Sequence, residues 1–282
     1  MRGACDRSGT VLRFGSFVGI DWSGALGHRH PSVQVAVCDV GSAAPRLVLP
    51  ASGVWSRTGV LEWLGSQSGN VLVGMDAGFG FAEVPPFMGP ARELWAEVDA
   101  ACTADVDLGG HSFIARRRDA FWTGAADGPR ADRAHLRVTE RVYAESRLGT
   151  PTSNFVLLGA SQVGKATLSA MRLLHHLGWP VWPFNPLPAS GPVILEIYAQ
   201  AFARMGGTRG KLRDLVALDL VLGRLGSAAM PTDFPARFAD HVGDAVVTAA
   251  GLRAIADEAR WWAPAALTPA VAATEGWTFG VV

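Results

Sequence analysis

Phe17-Val-Gly-Ile-Asp21-Trp-Ser-Gly24 carries a carboxylate at the end of an apolar run. Residues 17–21 read as a buried strand, and the chain on either side decides what kind of sheet it enters. A second strand is expected at Ser32–Val40 (SVQVAVCDV) and a third at Arg46–Leu49, with Gly, Ser and Pro turn signals between them. Strands spaced this closely favour an antiparallel start. Val71–Met75 is then a continuous apolar strand of the kind buried on both faces, and Asp76 ends it.

Beyond Asp76 the pattern changes. Before that strand a short helix is predicted at Val60–Leu64, whereas from Pro85 to about Gly178 the chain is mostly helical or irregular. Helix candidates there are Ala91–Cys102, Arg130–Arg147 and Lys165–Leu177. Strand character returns at Val181–Phe184 and Val193–Tyr198, followed by helical Leu212–Leu225, a long helix from about Val242 to Trp262, and a short strand within Gly276–Val281. Antiparallel strands followed by alternating helix and strand predict an α/β fold, a mixed sheet with helices on its faces. One domain over 1–282 is expected, with its core at about 17–84 and 180–282 and a largely helical insertion at about 85–179.

With 282 residues, 49% of them apolar, and a mean hydropathy of +0.20, the chain can bury a sizeable core. Twenty-five basic and twenty-five acidic residues cancel, so no global field draws the protein to a polyanion. A local phosphate track could lie at Arg116-Arg117-Arg118, although the run reads first as a solvated face. The three cysteines, Cys5, Cys38 and Cys102, are scattered and encode neither a disulfide framework nor a zinc cage. No run approaches the roughly 18 apolar residues of a membrane span, and no secretory signal opens the chain. A cytoplasmic protein without a membrane partner is expected.

Four acids interrupt apolar runs: Asp21, Asp76 in VLVGMDAGFGF, Glu196 in VILEIYAQ and Asp244 in HVGDAVVTAAGL. A buried carboxylate must be neutralised, hydrogen-bonded, paired with a cation or bound to metal. Metal would give all four one purpose. Asp21 and Asp76 read equally as turn-capping residues. Glu196 lies inside a strand, on one face with Ile194 and Tyr198, and needs a partner if that face is buried. His241 and Asp240 precede Asp244 by three and four positions, which places all three on one side of a helix, unless one of the aspartates is only its N-cap.

Two nucleotide readings compete. Gly159-Ala-Ser-Gln-Val-Gly164-Lys165-Ala166-Thr167 nearly matches a phosphate-binding loop, but Ala166 stands where the metal-binding hydroxyl belongs. GIDWSG and GMDAGFG echo the phosphate loops of actin-like ATPases, yet only 55 positions separate Asp21 from Asp76. That is too few for a first half-domain.

Taken in order, GIDWSG, VGMDAGFGF, FVLLGASQVGKATL followed by VWPF, VILEIY and HVGDAVVTAAGL resemble the domain of unknown function 429 family, predicted ribonuclease-H-like nucleases. The likeness spans about Phe17 to Gly280. It implies a ribonuclease-H-like sheet, catalytic and metal-binding roles for Asp21, Asp76, Glu196 and Asp244, and two magnesium or manganese ions. It also makes GASQVGK a structural loop, and Arg137-Val-Thr139-Glu140 looks like a further family element. His241-x-x-Asp244 is similar to the last motif of Holliday-junction resolvases, which would put His241 beside the metal to orient water or assist the leaving group. Lys211 and Arg137 are candidates for substrate phosphate. The family commonly continues from the glutamate into Tyr-Pro, where this chain has Tyr198-Ala199.

The implied activity is metal-dependent hydrolysis of nucleic-acid phosphodiesters, with nucleic acid as partner. A catalytically silent binding module of the same fold, or an ATP-dependent phosphotransferase, would be the alternatives.

Overall fold

The structure is a computed structural model that describes residues 14–158, 163–208, 210–212, 214–232, 234 and 239–282, with two short paired strands before them, β1 (Ala4–Cys5) and β2 (Val11–Leu12). The chain then forms β3 (Ser16–Asp21), β4 (Gln34–Asp39), β5 (Arg46–Val48), α1 (Arg57–Gly65) and β6 (Val71–Asp76). Next come α2 (Ala91–Ala101), α3 (His111–Arg116), α4 (Val138–Glu145) and α5 (Val163–Leu177). The last part contains β7 (Val181–Trp182), β8 (Val193–Ile197), α6 (Ala199–Met205), α7 (Leu215–Arg224), α8 (Asp240–Ile255), α9 (Ala259–Trp262), α10 (Pro269–Thr274) and β9 (Thr278–Phe279).

Seven strands make one mixed sheet in the order β5-β4-β3-β6-β8-β7, with β9 also on β8. The β5, β4 and β3 pairings are antiparallel; β6 is parallel to β3, and β8 is parallel to β6, β7 and β9. The α/β expectation with an antiparallel start therefore holds.

Each face of the sheet carries its own core. One holds Phe17, Leu72, Leu195 and Ile197 against the small residues of α8 and against α6 and α7. The other holds Val18, Ile20, Val73, Met75 and Ile194 against α1, α2 and α5. Residues 85–179, expected as an insertion, thus supply much of one covering layer.

Glycine sets how closely α8 approaches. A Cβ at Gly19 would lie 2.1 Å from the Ala245 carbonyl oxygen, and one at Gly74 would lie 2.9 Å from both Ile197 and Leu252. Each glycine stands two residues before the strand's aspartate. The glycines of GID and GMD therefore serve helix packing, and they bring α8 down onto the strands that carry Asp21 and Asp76.

Two expected helices are shorter in the structure. Arg130–Arg147 is helical only from Val138, preceded by a one-turn 3₁₀ segment at Arg130–Asp132. The predicted Val242–Trp262 helix is two: α8 stops at Ile255, Glu258 is extended, and the Trp262 indole donates back to the Ala256 carbonyl at 2.7 Å. Helix α6, not anticipated, begins at Ala199, where the family resemblance would have proline.

A candidate active site at the carboxyl ends of the parallel strands

Asp21 and Asp76 are register partners on neighbouring parallel strands. They leave the sheet together, on the face that α8 covers, because side chains alternate faces along a strand. Asp244, one turn into α8, joins them. All three line a cavity of about 520 Å³ at the carboxyl ends of β3, β6 and β8, where ligands commonly bind open α/β sheets.

The loop after β3 is tied in place from behind. Arg57 is fully buried and donates Nε to the Ser23 carbonyl at 2.8 Å, Nη1 to the Asp107 carbonyl at 2.6 Å, and Nη2 to the Ala25 carbonyl. Asp107 in turn accepts from the backbone N–H groups of Arg57 and Thr58. Gly24 packs against the first turn of α5, where a Cβ would lie 2.3 Å from Ala166 N, and Gly78 packs against Asn154. The glycines after each aspartate are thus also packing residues. Gly159–Gln162 of the phosphate-loop-like segment lie outside the described residues; Thr167, its late hydroxyl, donates to the Val163 carbonyl within α5.

The three aspartates oppose one another electrostatically. Burial, then the charges of Asp21 and Asp244, push Asp76 well above the usual carboxylate range, against a 3.1 Å hydrogen bond from the Ala199 N–H. Burial and the Asp21 charge raise Asp244 to about 7. Asp21 is raised by burial, which its 2.6 Å contact with His241 Nδ1 only partly offsets. His241 is raised by that same bond, so it holds its proton more firmly than a free imidazole. Lys211 lies at the rim, paired with Asp240 at 2.6 Å.

Glu196 lines the same cavity but is held from the other side of the sheet. Its register partner is Met75, one residue before Asp76, so its side chain belongs to the opposite face. There it accepts from Arg137 Nη1 at 2.8 Å, Arg137 Nη2 at 2.5 Å, the Phe79 N–H at 2.8 Å and Thr278 Oγ1 at 2.6 Å. Those donors fill the roughly four acceptor positions of a carboxylate, so the expected ligand is already satisfied by protein.

Arg137, expected to meet substrate phosphate, is buried in the same network. It also donates Nε to Glu140 at 2.9 Å and Nη1 to the Glu275 carbonyl at 3.0 Å. Burial disfavours its charge, but Glu140 and Glu196 outweigh that and keep it protonated. The Arg116–Arg118 run is also largely committed: Arg117 pairs with Glu97 and Arg118 with Asp127, both at 2.7 Å.

All of the expected site residues, Asp21, Asp76, Asp244, His241, Lys211, Glu196 and Arg137, therefore line one cavity, with Glu196 and Arg137 paired to each other in its wall. Among the described residues, no three His, Cys, Asp or Glu side chains form a ready-made metal-holding arrangement. Asp21 is turned to His241, and Asp76 to Ala199.

The far wall of the cavity carries residues the sequence reading missed, among them Tyr143, Gln200 and Tyr198 as a site residue. The chain's only two tyrosines meet there edge to face, with ring centroids 5.3 Å apart. The one signal available was their rarity in the composition.

No family model, curated protein or solved structure matches this chain. Among the described residues no helix is long and apolar enough to cross a membrane.

Proposed function

We propose that this chain is a metal-dependent phosphodiester hydrolase of the ribonuclease-H-like class, with Asp21, Asp76 and Asp244 as its acidic set. The observation that carries the reading is three carboxylates gathered at the carboxyl ends of parallel strands, with the charges of Asp21 and Asp244 raising the proton affinity of Asp76 and that of Asp21 raising Asp244, and with His241 paired to Asp21. The strand order, three antiparallel strands continued by parallel ones, and the order of the five motifs support the same class.

The donor set suits a hard divalent cation: oxygens only, with no sulfur and one imidazole at the edge. Held by Asp21, Asp76 and Asp244, magnesium or manganese would offset their repulsion and supply Lewis-acid activation of water and of the phosphate. Glu196, expected as a fourth ligand, acts through position: with Arg137 it fixes the end of β8 and the Phe79 backbone after Asp76. His241 holds a proton between Nδ1 and the Asp21 carboxylate and can pass one to a departing oxygen. Lys211 supplies a rim charge for a phosphate once drawn from Asp240. In the reaction the water oxygen bonds to phosphorus, one P–O ester bond breaks, and a proton from water ends on the departing alkoxide.

The second reading, a binding module without turnover, draws support from the protein donors that already hold Asp21 and Asp76. The deciding experiment incubates the protein with magnesium or manganese and single-stranded, duplex, hybrid and branched nucleic acids, together with small phosphodiesters. Cleavage abolished by chelator, by Asp21→Asn and by Asp244→Asn is the expected result. Metal-independent binding without cleavage of any of these would leave the binding module.

A further inference from the structure

We infer that the cavity takes a single terminal nucleoside phosphodiester, supplied either by a dinucleotide-sized small molecule or by a strand end, and that Tyr143 and Tyr198 form its binding wall. This substrate class rests on the hydrolase reading; the shape and lining of the cavity point to it independently of turnover.

Size is the first argument. A cavity of about 520 Å³ falls in the range of roughly 300–1,000 Å³ that encloses small molecules, whereas an internal bond of a long polymer needs an open groove with phosphate contacts on both sides. Charge is the second. Among the described residues lining the cavity, the basic side chains are Arg137, Lys211 and His241, and each is engaged with an acid, Glu196, Asp240 and Asp21 respectively. In the triple-arginine segment, which could have extended a phosphate track, Arg117 and Arg118 are paired with Glu97 and Asp127. Among the described residues that line the cavity, every cation is thus already paired with an acid.

The third argument is an unmet hydrogen bond. Tyr143 is 3% exposed, lines the cavity, and its hydroxyl has no partner, an arrangement that is unfavourable if nothing fills it. Tyr198 packs its ring against Tyr143 and donates its own hydroxyl to the Gln200 side-chain oxygen at 3.0 Å. That bond orients the Gln200 amide so that its NH₂ remains available. The wall therefore offers an aromatic surface, one amide donor and one uncommitted phenol, which suits the base and sugar of one nucleoside. The three aspartates line the same cavity, where the ester would react.

The test uses the whole protein in two arms. The first measures binding of thymidine 5′-monophosphate and of a closed-circular single strand, without metal, by calorimetry. Mononucleotide binding comparable to or tighter than binding per site on the circle is expected, with a loss of about fivefold in Tyr143→Phe and a larger loss in Tyr198→Ala. The second measures manganese-dependent cleavage of thymidine 5′-(p-nitrophenyl phosphate), a linear 20-mer and the closed circle. Cleavage of the first two with the circle intact is expected. The phenol role predicts a higher KM and an unchanged kcat in Tyr143→Phe.

Cleavage of the circle as fast as the linear strand would overturn the inference, and so would tight, salt-sensitive binding of the circle without mononucleotide binding, or no binding of either probe. Mononucleotide binding that depends on the tyrosines, with nothing cleaved, would uphold the ligand class and defeat the hydrolase reading instead.

Discussion

Asp76 ends β6 and Glu196 is the last residue but one of the adjacent parallel strand β8, one residue apart in register, yet they face opposite sides of the sheet and meet opposite fates. On one side Arg137 lies between Glu140 and Glu196, and backbone and hydroxyl donors complete the shell of Glu196. On the other side Asp21 is paired with one partly exposed histidine, Asp76 accepts from the Ala199 N–H, and the three aspartates face one another's charge. A buried acid whose acceptor positions are filled by protein is structural. One whose charge is left to its neighbours raises its own proton affinity, and this is the electrostatic state expected where an external cation is to bind.

The largest effect should come from breaking the neutralised side. Arg137→Met removes the one cation from two buried carboxylates, and losing one partner of such a group costs about 3–5 kcal/mol. Denaturant unfolding should show a midpoint shift of that size. Adding Glu196→Gln to Arg137→Met should recover part of the loss, because one uncompensated charge is removed with it. Equal stability of wild type and Arg137→Met would mean that these acids are solvated and the two sides do not differ.

The contrast between the two sides was only half legible in the sequence. All four acids stood out because each interrupts an apolar run, but β6 and β8 are apolar on both faces. Such strands lack the alternation that reveals which side chains share a face, and a one-residue change of register moves a side chain to the other face. Register depends on how strands pair, so Glu196 was grouped with the aspartates when Met75 is its partner. Helix–sheet packing was encoded more directly, by Gly19 and Gly74 at the same offset before Asp21 and Asp76, although the same glycines also resembled phosphate loops. Arg137 was visible only as part of a motif, since its partners lie three, fifty-nine and one hundred and thirty-eight residues away.

The aspartate side should respond in the opposite sense. With no divalent cation present, the folded protein holds a proton on Asp244 up to about pH 7, whereas an unperturbed aspartate releases it near 3.8. Stability from that proton is fully present below 3.8 and is lost as pH rises through about 7. Asp244→Asn should therefore flatten the stability profile between pH 4 and 7. At pH 8 it should be more stable than wild type by about 2 kcal/mol, after allowance for solvent screening. Manganese at a hundredfold excess over its dissociation constant should stabilise wild type by about 2.7 kcal/mol, with a much smaller gain in the variant. A variant less stable than wild type at pH 8 without metal would refute the repulsion.

Thr278→Val should give the smallest effect and the finest distinction. It keeps the shape of a buried side chain and removes one of four donors from Glu196, leaving Arg137 and the Phe79 N–H in place. One lost hydrogen bond to a buried carboxylate predicts about 1–2 kcal/mol of destabilisation. If Glu196 serves only to position β8, that cost should be the same with and without manganese, and the manganese stabilisation of the variant should equal that of wild type. A variant whose response to manganese differs from wild type by more than its loss of stability would return Glu196 to the cation site, because freeing one of its oxygens would then have changed the ligand set itself.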